Sequence, residues 1–431
     1  MNHFESREGE LWCEEVPLTA LAEAVGTPLY VYSTATLERH HRVFREALDA
    51  FPRLGAPLIA YAVKANSNLS VLATLGRLGA GADTVSEGEI RRALAAGIPP
   101  SRIVYSGVGK TAGELAFALD SGVAQINVES EPELRLLGAL ARARGLRPDV
   151  VVRVNPDVEA GGHAKISTGA RESKFGVSLT EAERLYAMAV ADAHFNPVGV
   201  ACHIGSQITD LAPLARAFAL MRHLVERLRA GGLAVERLDL GGGLGVPYFN
   251  QPDPPTPRDF AAMADQVVGD LDIDLAFEPG RAIAANAGVL VSRVIHVHER
   301  PEGRRFLVLD AAMNDLIRPA MYDAYHDIRP VRPRPGPLAP YDVVGPVCET
   351  GDTFTRDRRL PPLASGDLVA FMSAGAYGAV MASEYNSRPL VPEVLVKGDA
   401  WAVVRPRPTY EEMLGRDSIA PWLSSSVSAA T

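Results

Sequence analysis

The sequence has few cysteines and no apolar run of membrane-spanning length. Its three cysteines, Cys13, Cys202 and Cys348, lie far apart and lack the spacing of metal ligands. We therefore predict reduced thiols in a cytoplasmic protein, and no metal site. Residues 1–15 are polar and acidic rather than signal-like, so we expect neither a membrane span nor a signal peptide.

The sequence also lacks an excess of positive charge. Its 43 lysines and arginines are outnumbered by 52 aspartates and glutamates, which gives a net charge of −9. A surface of this sign does not attract nucleic acid or an anionic membrane, so we predict neither as a partner. The 47% of hydrophobic and 22% of charged residues are typical of globular proteins, and 431 residues suffice for two or three domains.

What is present is a regular alternation of strand and helix patterns. Short apolar runs without helical spacing predict strands. After a lone strand at 28–34 and a helix to about Leu48, the predicted strands are 58–63, 82–85, 103–106, 124–128, 149–154, 198–203, 236–240 and 274–278. Helix starts between them are predicted from capping-box sequences, which begin at Ser86, Thr111 and Thr180.

Eight strands that alternate with helices predict an α/β fold, a (β/α)8 TIM-type barrel. The alternative is an open doubly wound sheet, but its Gly-x-Gly-x-x-Gly turn after an early strand is missing.

The pattern changes after Asn286. Val-rich segments separated by turns predict a second, all-β domain of sandwich or barrel-like type. Its predicted strands are 289–298, 305–310, 341–347, 367–373, 392–397 and 400–405, with a proline-rich loop at 329–340. We therefore place the barrel at 36–285, the β domain at 1–35 plus 286–420, and a flexible tail at 421–431.

Lys64 ends the first predicted barrel strand, in the stretch Tyr61-Ala62-Val63-Lys64-Ala65-Asn66. Such a lysine can simply extend to water. Alternatively, partial burial would lower its pKa and make the amine a nucleophile toward an aldehyde, and pyridoxal 5′-phosphate (PLP) is the commonest aldehyde cofactor. The second interpretation is favoured because barrel enzymes carry their chemistry at the carboxyl ends of the strands.

Functional residue types also follow the last three barrel strands. Strand six ends in His203, strand seven in the glycine-rich run Gly241–Gly245, and strand eight in Glu278-Pro279-Gly280-Arg281. Consecutive glycine N–H groups can converge on a phosphate, and Glu278 could keep a pyridine nitrogen protonated. Gly280 adds backbone donors, and Arg281 could bind a substrate carboxylate. His203 could stack on a flat cofactor ring or be a core histidine, and both interpretations stay open from composition alone.

Together these motifs resemble the alanine-racemase-like (fold-type III) PLP decarboxylases, over residues 10 to 420. Within that family they are similar to the diaminopimelate decarboxylases. Further motifs of that subgroup are Ser173-Lys174-Phe175-Gly176, Met313-Asn314-Asp315-Leu316-Ile317-Arg318-Pro319, Gly345-Pro346-Val347-Cys348-Glu349 and Tyr385-Asn386-Ser387-Arg388-Pro389. Three positions depart from the usual pattern: Glu87 stands in place of glycine, Thr350 in place of serine, and Glu384 in place of asparagine.

The resemblance implies PLP-dependent decarboxylation of meso-2,6-diaminopimelate to L-lysine and CO2, the last step of lysine biosynthesis. The residues that it implies for PLP binding are Lys64, Asp83, His203, Ser206, Gly242, Gly243, Glu278, Gly280, Arg281 and Tyr377, with Glu89 as a further support for Lys64. Those implied for substrate binding are Arg281, Arg318, Tyr322, Glu349 and Tyr377. Lys64, His203 and Cys348 are implied to be catalytic, with Cys348 as a proton donor. Cys348 and Glu349 would reach the site from the second subunit of a homodimer.

Two other functions stay open at this point. A decarboxylase of the same fold could act on ornithine, arginine or a carboxy-polyamine, although the simple diamine precursors lack the second carboxylate that Arg281, Arg318 and Tyr322 are implied to bind. A PLP-binding regulator without catalysis would be expected to lack the substrate-binding residues at the dimer interface, and this chain retains them.

Overall fold

The computed structural model describes residues 2–160, 168–169, 173–248 and 252–426. Its first elements are three short antiparallel strands, a helix and a fourth strand. They are β1 (Phe4–Arg7), β2 (Glu10–Cys13), β3 (Val16–Pro17), α1 (Leu18–Val25) and β4 (Leu29–Ser33). The lone strand predicted at 28–34 is therefore confirmed as β4, whereas β1 to β3 were not predicted because each is too short to show a period.

The next elements alternate between helix and strand. They are α2 (Thr34–Asp49), β5 (Leu58–Ala62), α3 (Leu69–Arg77), β6 (Gly81–Thr84), α4 (Glu87–Ala95), β7 (Ile103–Tyr105), α5 (Ala112–Ser121), β8 (Gln125–Val128), α6 (Glu131–Arg144), β9 (Asp149–Val154), α7 (Leu179–Ala191), β10 (Asn196–Cys202), α8 (Leu211–Ala230), β11 (Arg237–Asp239), α9 (Pro257–Val268), β12 (Asp274–Phe277) and α10 (Arg281–Ala284). Strands β5 to β12 pair in parallel with their sequence neighbours, and β12 pairs with β5 to close the barrel. The predicted (β/α)8 barrel is thus confirmed.

Two of the predicted helix starts show when the local sequence is enough to predict which residue caps a helix. The box at Thr111 forms in full, since Thr111 Oγ1 accepts from the Glu114 N–H at 3.3 Å and the Glu114 carboxylate accepts from the Thr111 N–H at 2.9 Å. The box predicted at Thr180 is wrong. Helix α7 begins earlier, and the Ser178 hydroxyl caps it by accepting from the Glu181 N–H. Two overlapping cap sequences compete there, and the earlier one is used.

The remaining elements form the β domain. They are β13 (Gly288–Glu299), β14 (Arg305–Leu309), α11 (Arg318–Tyr322), β15 (Ile328–Pro330), β16 (Ala339–Val344), β17 (Thr353–Leu360), β18 (Leu368–Phe371), β19 (Glu393–Lys397), β20 (Ala400–Arg405) and α12 (Tyr410–Leu414). With β4 the strands make a nine-stranded sheet, so the expected second all-β domain is confirmed. The first residues of the loop predicted at 329–340 instead belong to β15, which pairs with β18. Strand β17 was not predicted, because its charged sequence, TFTRDRRL, lacks an apolar run.

The last described element is a short 3₁₀ helix at Pro421–Ser426, within the segment predicted as a tail. Residues 427–431 of that segment lie outside the described residues. Across the described ranges, no helix is both long and apolar enough to cross a membrane.

The β domain contacts the barrel at the end where the strands finish. The Tyr377 N–H donates to the Ala65 carbonyl at 2.8 Å, and Asn66 Nδ2 donates to the Gly375 carbonyl at 3.0 Å. Both contacts lie next to Lys64 in sequence. The position of the predicted reactive lysine is therefore fixed by both domains.

Candidate active site

Lys64 lies in a 3₁₀ turn, Val63–Ala65, directly after β5. Its Nζ is 3.0 Å from Asp83 Oδ2 on β6, and Asp83 is fully buried. Burial acts to lower the pKa of Lys64, but the carboxylates of Asp83 and Glu278 outweigh it and raise the pKa above its usual value. The expected lowered pKa is therefore wrong for the protein alone, because two carboxylates from other strands stabilise the ammonium.

Asp83 has one carboxylate oxygen without a partner. Its Oδ1 is buried and has no hydrogen-bond partner among the described residues. An unsatisfied carboxylate oxygen in a protein interior is costly. The orphaned oxygen beside Lys64 is consistent with a site that a polar ligand completes.

Glu89 stands at the start of α4, near this pair. Burial raises its pKa to about 7, with the Asp83 charge adding to the effect. The Ser86 hydroxyl caps the helix by accepting from the Glu89 N–H, but the Glu89 carboxylate accepts from the Val85 N–H at 2.8 Å. The capping box predicted at Ser86 is therefore incomplete.

His203 follows β10 and lines the same cavity as Lys64. Its Nδ1 accepts a hydrogen bond from the Gly242 N–H at 3.2 Å, so its proton is on Nε2. Burial and the nearby charges of Lys64 and Arg153 hold the pKa of His203 well below its usual value. The imidazole is therefore neutral, which suits a ring that packs on a flat ligand better than one that transfers protons at neutral pH.

Glu278 and Asp239 form a buried acid pair at the ends of β12 and β11. Burial raises the pKa of Glu278 well above its usual value, with the charges of Asp239 and Asp83 adding to the effect. Burial likewise raises the pKa of Asp239 to about 6, although it accepts from the Gly241 N–H at 3.0 Å. Burial and mutual repulsion therefore make both acids harder to ionise than they are in water.

The glycine-rich turn after β11 requires glycine at several positions, two of which line the cavity. A Cβ at Gly242 would lie 2.2 Å from the Glu278 carbonyl oxygen, and one at Gly243 would lie 2.9 Å from the Gly205 carbonyl oxygen. Gly243 also has a φ of +119°, which side chains rarely adopt. The turn, Ser206, Gly280 and Tyr377 all line one cavity, so backbone N–H groups and hydroxyls that can bind an anion are collected there.

Arg281 lies at the edge of this cavity. Its Nε and Nη2 donate to Ser206 Oγ at 3.2 and 3.1 Å, and its Nη1 donates to the Tyr248 hydroxyl at 3.0 Å. The guanidinium also lies 4.8 Å from the centre of the Tyr377 ring. Among the described residues, the groups that hold Arg281 are therefore two hydroxyls and an aromatic ring.

A larger cleft of about 780 Å³ continues from Lys64 to the β domain. Arg318 and Tyr322, which begin and end α11, line it together with Lys64, His203 and Arg281. The predicted barrel residues and these two β-domain residues are thus brought together.

Cys348 and Glu349 are not brought into this cleft. They lie exposed in the segment between β16 and β17, and neither lines the cavities that contain Lys64. A hydrogen bond from Tyr385 to Glu349 instead raises the pKa of the exposed Tyr385 hydroxyl. Within a single chain, the predicted proton donor Cys348 and the predicted substrate-binding residue Glu349 are therefore separate from the predicted reactive Lys64.

Four residues of the site received no role in the sequence analysis. Arg153 is the penultimate residue of β9, lines the cleft and pairs with Glu129 at 2.9 Å. Asp239 pairs with Glu278, while Tyr248 and His326 contact the two arginines. Arg153 and Asp239 could have been found from their places at strand ends. Nothing in the sequence marks Tyr248 or His326.

Comparison with known proteins agrees with this arrangement. Residues 34–285 match the family described as "Pyridoxal-dependent decarboxylase, pyridoxal binding domain". Over 423 residues the chain is 49% identical to the diaminopimelate decarboxylase of Vibrio cholerae, covering 98% of this chain and all of that protein. The chain belongs to the diaminopimelate decarboxylase family.

Solved structures of the diaminopimelate decarboxylase family share the fold. The enzyme from M. jannaschii superimposes with a TM-score of 0.93 at 35% identity, covering 98% of this chain and 99% of that one. The enzyme from Helicobacter pylori, complexed with L-lysine, gives a TM-score of 0.88 at 41% identity and covers 93% and 98%. Membership of the diaminopimelate decarboxylase family makes PLP the cofactor of the chain.

Proposed function

We propose that this chain decarboxylates meso-2,6-diaminopimelate to L-lysine and CO2, as the last step of lysine biosynthesis. The observation that carries the proposal is a single cleft lined by Lys64 and by two buried arginines, Arg281 and Arg318. The buried acid Glu278 lines the adjoining cavity that Lys64 also lines. These groups match a substrate with a reacting amino acid group and a second carboxylate. The names of its relatives point to the same reaction.

The residues present fit PLP. Lys64 supplies an amine for the aldehyde, and the neutral His203 ring offers a flat, uncharged surface. The turn with Gly242 and Gly243 would hold the phosphate. Four further residues would complete the phosphate site and its surroundings, Ser206, Gly280, Arg281 and Tyr377.

The chemistry that bound PLP would supply is an electron sink for the carbon–carbon bond that breaks. Burial and the charges of Asp239 and Asp83 raise the pKa of Glu278, which favours a carboxyl that would share a proton with the ring nitrogen. Asp83 orients the Lys64 amine through their 3.0 Å contact. Lys64, whose ammonium is stabilised by two carboxylates, is one source of the proton that replaces CO2.

Arg281, Arg318 and Tyr322 would bind the carboxylate that is not lost. Both guanidiniums are buried, and neither has a carboxylate partner among the described residues. Two buried cations without a counterion favour an anionic ligand. Ornithine and arginine have no second carboxylate, so this observation favours diaminopimelate over the alternative substrates.

We also propose a homodimer in which Cys348 and Glu349 act on the partner's cleft. Their exposure and their separation from Lys64 support this proposal. Large apolar side chains are also exposed on the same chain, including Leu414, Ile419 and Trp422, which are 72%, 75% and 79% exposed. A cytoplasmic location fits a biosynthetic enzyme with three free thiols.

The experiment is a measurement of CO2 release from a panel of amino acids by the purified, PLP-loaded enzyme. We expect release from meso-diaminopimelate and at least 100-fold lower kcat/KM for lysine, ornithine and arginine, because one charge-assisted contact to the distant carboxylate contributes about 1.5–3 kcal/mol and two arginines are available. Lys64→Ala should abolish release, whereas the exposed Lys397→Ala serves as a matched control. Release from ornithine or arginine at a rate equal to that from diaminopimelate would reject the proposal.

A further inference from the structure

The two buried arginines of the cleft are held by neutral groups. Arg318 Nη1 lies 2.8 Å from Nε2 of His326, and Arg281 donates to the hydroxyls of Ser206 and Tyr248. Arg281 and Arg318 are both 6% exposed. Their charges are therefore positioned within the protein without being neutralised by the described residues.

His326 has its proton on the nitrogen that does not face Arg318. Its Nδ1 is 2.8 Å from the Met372 carbonyl oxygen, which can only accept, so Nδ1 donates and Nε2 accepts from Arg318. Burial and the charges of Arg318, Arg281 and Arg358 lower its pKa to about 3. His326 therefore stays a neutral acceptor throughout the range in which enzymes are usually assayed.

Tyr248 links the two arginines. Its hydroxyl accepts from Arg281 Nη1 at 3.0 Å, and the Arg318 guanidinium lies 5.7 Å from the centre of its ring. The Tyr248 ring also meets the His326 ring edge to face, with centroids 6.2 Å apart. Arg281, Tyr248, His326 and Arg318 thus form one packed group that contains no carboxylate. Burial opposes ionisation of the Tyr248 hydroxyl, but the charges of Arg281 and Arg318 outweigh it and lower its pKa.

We propose that His326 and Tyr248 are positioning residues that hold Arg318 and Arg281 for the substrate carboxylate remote from the broken bond. The inference rests on the proposed function. A carboxylate at either position would align a guanidinium equally well, but it would also neutralise it and compete with the substrate. A neutral acceptor fixes the donor and leaves the charge for the ligand.

The test separates binding of the remote carboxylate from chemistry. For His326→Ala, we expect the KM for diaminopimelate and the inhibition constant of pimelate to rise about 10- to 100-fold, because one charge-assisted hydrogen bond is lost. We expect kcat to change less than about 3-fold. Pimelate has the same carbon chain and both carboxylates but no amines. His326→Gln should restore both constants to within about 5-fold, because its amide oxygen can accept from Arg318.

Control variants test whether the effect is specific to His326. His41→Gln replaces another buried histidine, on α2, and should leave both constants unchanged. Arg318→Ala shows how far both constants rise when the guanidinium itself is removed. The visible absorption of bound PLP and the midpoint of thermal unfolding are recorded for every variant, so that binding losses are counted only in folded, loaded enzyme.

Parental pimelate binding by folded His326→Ala would overturn the proposal, as would a His326→Gln variant as weak as His326→Ala. If His326→Ala does not fold, Tyr248→Phe, which removes one oxygen, carries the test. A parental inhibition constant would then overturn the proposal, and a rise of about 10-fold or more would support it. Absence of CO2 release by the parent enzyme would instead reject the proposed function, and calorimetry with pimelate would then test the arginine group separately.

Discussion

Mixing two inactive variants tests whether each active site is built from two chains. Lys64 lies in the barrel cleft, whereas Glu349 lies exposed outside it on the same chain. In a twofold dimer, Lys64 of one chain would meet Glu349 of the other. We therefore expect Lys64→Ala and Glu349→Ala each to be nearly inactive alone and to complement each other when combined.

The size of the recovery follows from counting sites. After equal mixing, unfolding and refolding, about half of the dimers are hybrids if pairing is random. Each hybrid has one site with both substitutions and one site with neither. The mixture should therefore recover about a quarter of parental activity, measured as CO2 released per mole of chain.

The matched control replaces Glu349→Ala with His203→Ala. His203 and Lys64 line one cavity of one chain, so every hybrid site lacks one of them and no activity should return. The reasoning is refuted if the Lys64 and Glu349 variants recover nothing although labelled chains demonstrably exchange. Glu349 would then serve its own chain, and the interface role of Cys348 would be rejected with it.

Two further predictions concern the glycine turn and a buried histidine. Gly242→Ala places a Cβ 2.2 Å from the Glu278 carbonyl oxygen, so the strand ends must shift and the variant should retain less PLP after dialysis. The control Gly113→Ala, whose Cβ meets nothing within 4 Å, should retain the parental amount. Equal retention by both variants would contradict a tightly packed cofactor turn. The pKa of His41 is lowered to about 4 by burial, so the unfolded chain takes up a proton below pH 6.5 that the folded chain does not. The free energy of unfolding of the parent, measured in urea relative to that of His41→Gln, should therefore fall as the pH decreases from 6.5 to 4, by up to about 1.4 kcal/mol per pH unit. A difference in unfolding free energy that does not change with pH would show that the histidine is solvated.

The sequence by itself determined the architecture and the place of the chemistry. Apolar runs that alternate with helix patterns depend on near neighbours only, and all eight predicted barrel strands were found. Because parallel strands in a barrel end at the same face, His203, Gly242 and Glu278 were predicted to lie together with Lys64. The cap at Thr111 was also predicted correctly, because it depends on adjacent residues only. The cap of α7 was predicted wrongly, because two cap sequences overlap before that helix.

Tertiary structure alone decided the electrostatics. The pKa of Lys64 is raised because Asp83 and Glu278 reach it from β6 and β12, and no pattern around residue 64 shows such contacts. The acid pair of Asp239 and Glu278 likewise depends on how β11 and β12 pair.

The contacts that hold the two arginines were also invisible in the sequence, although the resemblance implied that both bind one carboxylate. His326 contacts Arg318 at a separation of eight residues, and Tyr248 contacts Arg281 at a separation of 33. Each of these two contacts lies within one domain, whereas the contacts of Tyr248 with His326 and Arg318 depend on how the β domain packs on the barrel. Local sequence sets which elements form, but charge and hydrogen bonding in the cleft are set by residues distant along the chain.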